Sequence, residues 1–385
     1  MPKRVFAAMS GGVDSSVAAY LLTRAGYDVT GATMTLYRPH GETGDTRDVT
    51  DARAICVKLG IPHKTYEMGE VFCRCVIEDF IKVYEEGGTP NPCVTCNRTI
   101  KFGALWEAVA SDGAEAIATG HYARIKREGD RYLLCKAADE SKDQSYFLWQ
   151  LPREMLPHIL FPLGDMTKPE IRALAAEQGF ETAHKSDSQD ICFVPDGDYA
   201  GFMGGYTGKT PVEGDFVDKN GTVLGRHKGI IHYTIGQRKG LGIALGEPAF
   251  VCGKDPVTRR VVLGRNEDLF TREVRLAGVN LLSVESIDTP MAVTARIRST
   301  HKGDAATVVM TGTDTALVVF NQPQRAVCPG QSCVFYDGDM VVGGGIIADW
   351  RKFRLNERLR KTGVDKLPKP CYNGGKSSPR KGLLS

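Results

Sequence analysis

Two groups of residues in this sequence have the types and spacing for chemistry. The first is a set of thiols. Cys93 and Cys96, with two residues between them, stand in "GGTPNPCVTCNRTIKFG", and Cys192 stands in "KSDSQDICFVPDGDY". A Cys-x-x-Cys pair begins either a redox centre or a metal site. No second pair follows at zinc-ribbon spacing, which disfavours structural zinc, and the competing reading is two buried, inert thiols with a third elsewhere. The second group is "AMSGGVDSSVAAYLL", Ala8–Leu22. An apolar run, Val5–Met9, is followed by glycines and serines and then by helical spacing, so Ser10–Ser16 turns a strand into a helix N-terminus. The unpaired N–H groups and partial positive charge there suit an anion. Gly11 and Gly12 let the backbone approach a phosphate, and Ser10, Ser15 and Ser16 supply hydroxyls. Asp14 would repel phosphate unless a cation such as Mg²⁺ intervenes. The P-loop and dinucleotide fingerprints are both missing. The competing reading is a serine-capped turn with no ligand.

The elements that must position these residues follow from pattern. Strands are expected at Val5–Met9, Asp28–Tyr37 and Ala114–Ile125, and helices after Ser16 and over Arg47–Ile61, the latter ending at Gly60. This alternation predicts a parallel sheet with helices on both faces, whose ligands bind at the carboxyl ends of strands. Ser10–Ser16, Met34 and Gly120-His121 all fall at such ends. Thr167 and Glu170 form a capping box with Pro169 in the first turn, and Gly179 closes that helix. Pro90 and Pro92 keep the approach to Cys93 extended. Beyond Gly204 helical spacing gives way to glycines and short alternating runs such as "TALVVFN", which predict small β domains. The expected divisions are a catalytic domain at 1–205, a central β domain at 206–272, a C-terminal β-barrel at 273–350 and a tail at 351–385.

Composition restricts the classes. The chain has 385 residues, 42% of them hydrophobic, and eleven cysteines. It carries no run of membrane-span length. With no signal or transit segment expected, the reading is cytoplasmic, where cysteines more often bind metal or react than form structural disulfides. The net charge of +3 is uneven: residues 351–385 hold eleven Lys or Arg against two Asp or Glu, so the tail is +9 and the rest −6. With its Pro, Gly and Ser, the tail reads as disordered.

The motifs then carry a resemblance. "SGGVDSS" resembles the pyrophosphatase loop of the PP-loop ATP pyrophosphatases. In order after it come "TPNPCVTCNRTIKFG", "ATGHYAR", "KDQSYFLW", "SQDICF", "YTIGQRKGLGI" and "PGQSCVFYDG", and together they resemble the tRNA-specific 2-thiouridylase family over about Lys3–Ile347. The resemblance implies an α/β fold, with an N-terminal parallel sheet of PP-loop type followed by two small β domains. It implies a tRNA-uridine 2-sulfurtransferase: ATP adenylates C2 of a wobble uridine in tRNA, pyrophosphate leaves, and sulfur displaces AMP. ATP would bind at Ala8, Met9, Ser10, Gly11, Gly12, Val13, Asp14, Ser15, Met34 and Gly120, with Mg²⁺. Cys192 matches the cysteine that carries a persulfide from an upstream donor, a cysteine desulfurase or sulfur-relay protein. Cys96 matches its partner, which forms a disulfide with it or assists attack on the adenylate. Both roles need a thiolate, and Arg98 and Lys101 are the local cations. Where many members carry aspartate, Cys93 stands here. Three cysteines also suit a [4Fe-4S] cluster held by Cys93, Cys96 and Cys192 with one iron left open. Asn91, Pro92 and Cys93 match the target-base loop. Lys142, Asp143 and Gln144 match an anticodon-contacting loop, and His121 and Gln331 match further tRNA contacts. Arg298 and Ser299 match a contact pair in the last domain that is often Arg-Tyr, so Ser299 departs from the pattern.

Two other classes compete. A PP-loop synthetase acting on a small metabolite would not need three cysteines or two β domains. A non-catalytic RNA-binding iron–sulfur protein would not need the whole "SGGVDSS" loop.

Overall fold

The computed structural model describes residues 1–37, 46–184 and 191–348. The basic tail, expected to be disordered, lies outside the described residues. So do Ser188, Gln189 and Asp190 of the "SQDICF" motif.

The N-terminal strands are β1 (Arg4–Ala8), β2 (Asp28–Thr35), β3 (His63–Glu67), β4 (Ala116–Ala118) and, after a hairpin of β5 (Ala123–Glu128) and β6 (Arg131–Lys136), β7 (Ile159–Leu160). They form a sheet in the order β3-β2-β1-β4-β7, parallel throughout. Its central strands are apolar on both faces, as a sheet covered by helices requires. Val5, Phe6 and Ala7 are buried, as are Ala116, Ile117 and Ala118. Helix α1 (Val13–Arg24) follows β1, and α2 (Arg47–Leu59) starts where Thr46 Oγ1 accepts from the Val49 amide and stops at Gly60, whose φ of +67° is left-handed. The capping box forms as the sequence predicts: Glu170 Oε2 accepts from both the Thr167 amide and hydroxyl at 2.7 Å, and the helix runs Lys168–Glu177.

One expectation is corrected. Ala114–Ile125 is not a single strand. The chain leaves the parallel sheet after Ala118, turns through Thr119-Gly120-His121, and enters β5. The β5–β6 hairpin joins the sheet of the C-terminal strands through Met340 and Cys135.

The remaining chain is β. Strands β8 (Gly214–Val217), β9 (Val223–His227), β10 (Phe250–Asp255) and β11 (Arg260–Gly264) form a four-stranded sheet in the order β10-β11-β8-β9. Strands β12 (Phe270–Leu281), β13 (Met291–Arg296), β14 (Asp304–Met310), β15 (Thr315–Arg325), β16 (Ser332–Asp337) and β17 (Met340–Ile347) close into a barrel, because β12 pairs with both β15 and β17. Two sequence motifs join this barrel to the α/β region. From "KDQSYFLW", Trp149 donates to Ser332 Oγ and Tyr146 to the Ser332 carbonyl, each at 2.9 Å. Both rings are fully buried. At Gly344 a Cβ would come within 2.8 Å of the Trp149 ring, so the β17 glycine there makes room for the indole. Removing a side chain packed in this way costs about 3–5 kcal/mol.

Candidate functional site

The turn read from the sequence as a phosphate site forms at the end of β1. Gly11 has φ +66°, and a Cβ there would come within 2.7 Å of the Asp48 carbonyl, so both conformation and space require glycine. Ser15 Oγ and Ser16 Oγ donate to the Gly12 carbonyl at 3.1 and 2.9 Å, and the Ser10 amide donates to Ser15 Oγ at 3.2 Å. These bonds set the loop shape. Gly12 is the N-cap of α1 and no side chain caps that end, so the first-turn amides are presented to an anion. The residues fit a nucleotide's phosphates. Met34, half-buried, lies at the carboxyl end of β2.

Asp14 is not arranged as a metal ligand. Lys168 Nζ donates to its two carboxylate oxygens at 2.8 and 2.9 Å, and the Tyr122 hydroxyl donates to Oδ1 at 2.8 Å. The cation that offsets Asp14 is thus supplied by the protein, and Asp14 as placed does not fit Mg²⁺. Sequence reasoning missed Lys168 and Tyr122. Lys168 is buried with its ammonium 5.7 Å from the Tyr122 ring centre.

Gly120 touches this loop. A Cβ there would meet the Asp14 carbonyl carbon at 2.8 Å and the Ser15 nitrogen at 2.9 Å. The next residue, His121, contacts Lys101. Lys101 Nζ is 3.5 Å from His121 Nε2, and Thr119 Oγ1 is 2.7 Å from His121 Nδ1. An ammonium only donates, so Nε2 accepts and Nδ1 carries the proton that goes to Thr119. Burial, reinforced by the Lys101 charge, holds His121 well below the usual histidine range, so it is neutral at pH 7. His121 is buried against Phe102 and Phe161 and faces inward.

Cys93 and Cys96 lie on one short helix, Pro92–Cys96, with Pro92 at its first turn. The spacing of three puts them on one face. The chain continues without a break into a wide π-helical stretch, Asn97–Ala104, which carries Lys101; such bulges recur at functional sites. Cys96 is buried, whereas Cys93 and Cys192 reach solvent. All three are unbridged. Burial pushes Cys96 up to about 12, with Lys101 opposing and Cys192 and Cys93 adding to the rise. Cys93 and Cys192 are also raised, first by burial, and Lys101 again opposes. Both are walled in by protein although their surfaces are accessible. The three thiols therefore form one electrostatic group around Lys101; Arg98 has no part in it. The expected depression of thiol pKa is not present, because desolvation outweighs one ammonium. Among the described residues, no three His, Cys, Asp or Glu side chains come together in a set that could hold a metal ion.

The remaining predicted residues divide. Asn91 and Pro92 border Cys93, with Asn91 half-buried. In the 142–144 loop, Asp143 turns inward to Arg296 Nη1 at 2.8 Å, and Gln144 Oε1 accepts from the Tyr122 amide at 3.0 Å. Lys142 is half-buried. Arg298 is exposed and Ser299 half-buried. Gln331 Nε2 donates to the carbonyls of Thr89 and Pro90 at 3.1 and 2.9 Å.

Comparison with known proteins adds three matching family models: "tRNA methyl transferase HUP domain" over residues 3–196, "tRNA methyl transferase PRC-barrel domain" over 200–265 and "Aminomethyltransferase beta-barrel domain" over 271–347. The chain is 48% identical over 355 residues to the tRNA-specific 2-thiouridylase MnmA of Clostridioides difficile, covering 90% of this chain and 98% of that one. It is 49% identical over 354 residues to tRNA-specific 2-thiouridylase MnmA 1 of Caldanaerobacter subterraneus, covering 89% and 97%. Among solved structures, NMN synthetase from Francisella tularensis matches at 15% identity and a TM-score of 0.31, over 55% of this chain and 79% of that chain.

Proposed function

The chain belongs to the tRNA-specific 2-thiouridylase family, and from that premise we propose that it converts the wobble uridine of tRNA to 2-thiouridine with ATP. The observation that carries the reading is the dipeptide Gly120-His121. Gly120 packs on the pyrophosphate loop and His121 contacts Lys101, the cation shared by Cys93, Cys96 and Cys192. Adenylation and sulfur transfer thus meet within one residue of backbone. A loop suited to a departing pyrophosphate, beside thiols, supports sulfur transfer over the methyl transfer in the family models' descriptions, and over a synthetase acting on a small metabolite.

In this reading the uridine O2 attacks the α-phosphorus, and pyrophosphate leaves into the α1 N-terminus, where the amides and Lys168 stabilise its charge. Magnesium would arrive on the ATP phosphates, with no ligand from Asp14 as it stands. A persulfide on Cys192, loaded by a desulfurase or relay protein, is attacked at Cys192 Sγ by the Cys96 thiolate. A Cys96–Cys192 disulfide forms and hydrosulfide leaves; the hydrosulfide adds to C2, and AMP departs with the former O2. A thiol reductant then reopens the disulfide. Cys96 must lose a proton to act, and Lys101 is the charge that favours its thiolate. The wobble base must leave its stack to reach this depth, passing the Asn91-Pro92-Cys93 loop. Lys142, Arg298 and Ser299 would contact the tRNA, while Asp143 and Gln144 hold their loop. A tRNA substrate supports a cytoplasmic site of action; among the described residues no helix is long and apolar enough to cross a membrane.

The test is reconstitution with ATP, a persulfide donor and a wobble-uridine tRNA, scored by nucleoside mass spectrometry. 2-Thiouridine, with one AMP and one pyrophosphate each, is the expected product. Pyrophosphate release without tRNA and no thiouridine would point to a metabolite synthetase. Cys93→Asp, purified anaerobically beside the wild type with iron measured on both, decides the role of the third thiol. Substantial activity without iron supports the persulfide route. Stoichiometric wild-type iron, lost together with activity in the variant, supports a cluster.

A further inference from the structure

The cysteine helix is entered through Gly88-Thr89-Pro90, and these three residues are held from outside their own sheet. Lys254 on β10 donates from Nζ to the Gly88 carbonyl at 3.2 Å and to the Tyr233 carbonyl at 2.8 Å. Gln331, just before β16, donates from one amide nitrogen to the Thr89 and Pro90 carbonyls. The Thr89 amide donates to the Pro329 carbonyl at 2.8 Å. Three successive carbonyls and the amide between them are therefore satisfied by the central sheet and the barrel. A loop can run buried only if its backbone groups find partners in this way.

The glycines show how closely the pieces meet. A Cβ at Gly330, whose φ is +89°, would lie 2.9 Å from the Thr89 carbonyl oxygen and 3.1 Å from its nitrogen. One at Gly88 would lie 3.2 Å from the Pro329 carbonyl oxygen. Gln331 is tied in turn to the barrel, since its carbonyl accepts from the Ile347 amide at 2.7 Å. Lys254 is 4% exposed, which is rare for lysine unless its ammonium has a task.

We propose that Lys254 and Gln331 are positioning residues: from the two β domains they fix the Gly88–Pro90 backbone, and with it the orientation of Asn91, Cys93 and Cys96. The β domains then do more than receive a substrate; they complete the thiol site. Burial pushes Lys254 down to about 8, and an uncharged amine still has two hydrogens to donate, so the hold does not depend on its charge. The Gly88 amide stays tied to the Val83 carbonyl at 2.8 Å, so loss of either donor loosens the carbonyl side of the segment, the side that leads into the cysteine helix. The hold is independent of the reaction assigned above; only its effect on thiolation rests on that reading.

The experiment is amide hydrogen exchange by mass spectrometry on the full chain, for wild type, Lys254→Met and Gln331→Met. Both variants keep side-chain length and lose the donor. Exchange over residues 88–97 should rise about tenfold, the scale of one lost hydrogen bond, with residues 8–22 unchanged. The turnover number for thiolation should fall by a similar factor at constant KM for ATP. Should Lys254→Met fail to fold, Gln331→Met, at a half-buried position, carries the test alone. Unchanged exchange over 88–97 in folded Gln331→Met would overturn the proposal, and so would faster exchange with undiminished turnover. A wild type that makes no thiouridine would refute the reaction instead, and the exchange result would still stand.

Discussion

Lys168 and Asp14, 154 residues apart in sequence, form a two-point ion pair at the mouth of the pyrophosphate loop, with Nζ 2.8 and 2.9 Å from the two carboxylate oxygens. Tyr122 adds a third donor to the same carboxylate. In the proposed reaction the pair would keep an ammonium beside the place where charge develops when ATP is cleaved, with the carboxylate fixing it there. Lys168→Met and Asp14→Asn should each reduce tRNA-dependent pyrophosphate release about 100-fold or more, as loss of a preorganised charge partner does. Asp14→Asn should also lower stability by about 2 kcal/mol, because it strands a buried ammonium. A double-mutant cycle by urea unfolding measures this. The double variant should be more stable than the sum of the singles implies, and strict additivity would show that the two groups are uncoupled.

Lys101 opposes the desolvation of all three thiols. Lys101→Gln should therefore raise their pKa values further and reduce the thiolate fraction at every pH below them. Alkylation of Cys93 and Cys192 by iodoacetamide at pH 8 should slow about threefold to tenfold, since one pKa unit is a tenfold change in thiolate. In the wild type the same rate should keep rising above pH 9, because both thiols lie above their ordinary value. Peptide-resolved mass spectrometry reads both effects. A rate indifferent to Lys101 would remove it from the site.

The parallel sheet, the loop at the end of β1 and the convergence of Ser10–Ser16 with Gly120 were legible because each is local: a hydrophobic run, a turn composition, a strand end. Lys168 was not, although it lies between Thr167 and Glu170, whose capping box was plain. Its partner is remote, and pattern reports only neighbours. One signal was available: a lysine in the first turn opposes the helix dipole, which invites a search for the anion that holds it. The hairpin β5–β6 carries a Gly129-Asp130 turn, but its attachment to the barrel, through the Cys135–Met340 pairing and the bonds of Arg124 and Lys136 to Gly338 and Asp339, is one that no spacing encodes. Asp143 and Gln144 read as exposed loop residues, and the structure commits both to partners far away in sequence.

His121 is neutral for a physical reason that acidity can test. Its folded pKa lies well below 6.5 because burial and Lys101 both disfavour the imidazolium. The unfolded chain then binds a proton that the native state excludes. Stability should fall as pH drops below about 6.5, by up to about 1.4 kcal/mol per pH unit from this group. His121→Gln should flatten that part of the profile while slowing thiolation at pH 7. Urea melts of both proteins between pH 5 and 7.5 measure it, and parallel profiles would show that His121 titrates normally.

Asp143 and Arg298 were expected to act alike, as tRNA contacts, and the structure separates them. Asp143 pairs with Arg296 at 2.8 Å with side chains only 3% and 12% exposed, and it also accepts from the Ser145 hydroxyl at 2.9 Å. The Arg296 guanidinium lies 5.8 and 5.7 Å from the Tyr146 and Tyr336 ring centres. Asp143→Ala leaves this cation buried without its anion, so about 3–5 kcal/mol of stability should be lost, and tRNA binding by the folded fraction should keep its salt dependence. Arg298 is exposed and gives one bond to the Arg325 carbonyl. Arg298→Ala should leave the melting temperature nearly unchanged, weaken tRNA binding, and reduce the slope of log affinity against log salt by about one phosphate contact. Thermal melts and filter binding across a salt series compare the two. A stable Asp143→Ala with a reduced salt slope, or an Arg298→Ala with an unaltered one, would exchange the roles assigned here.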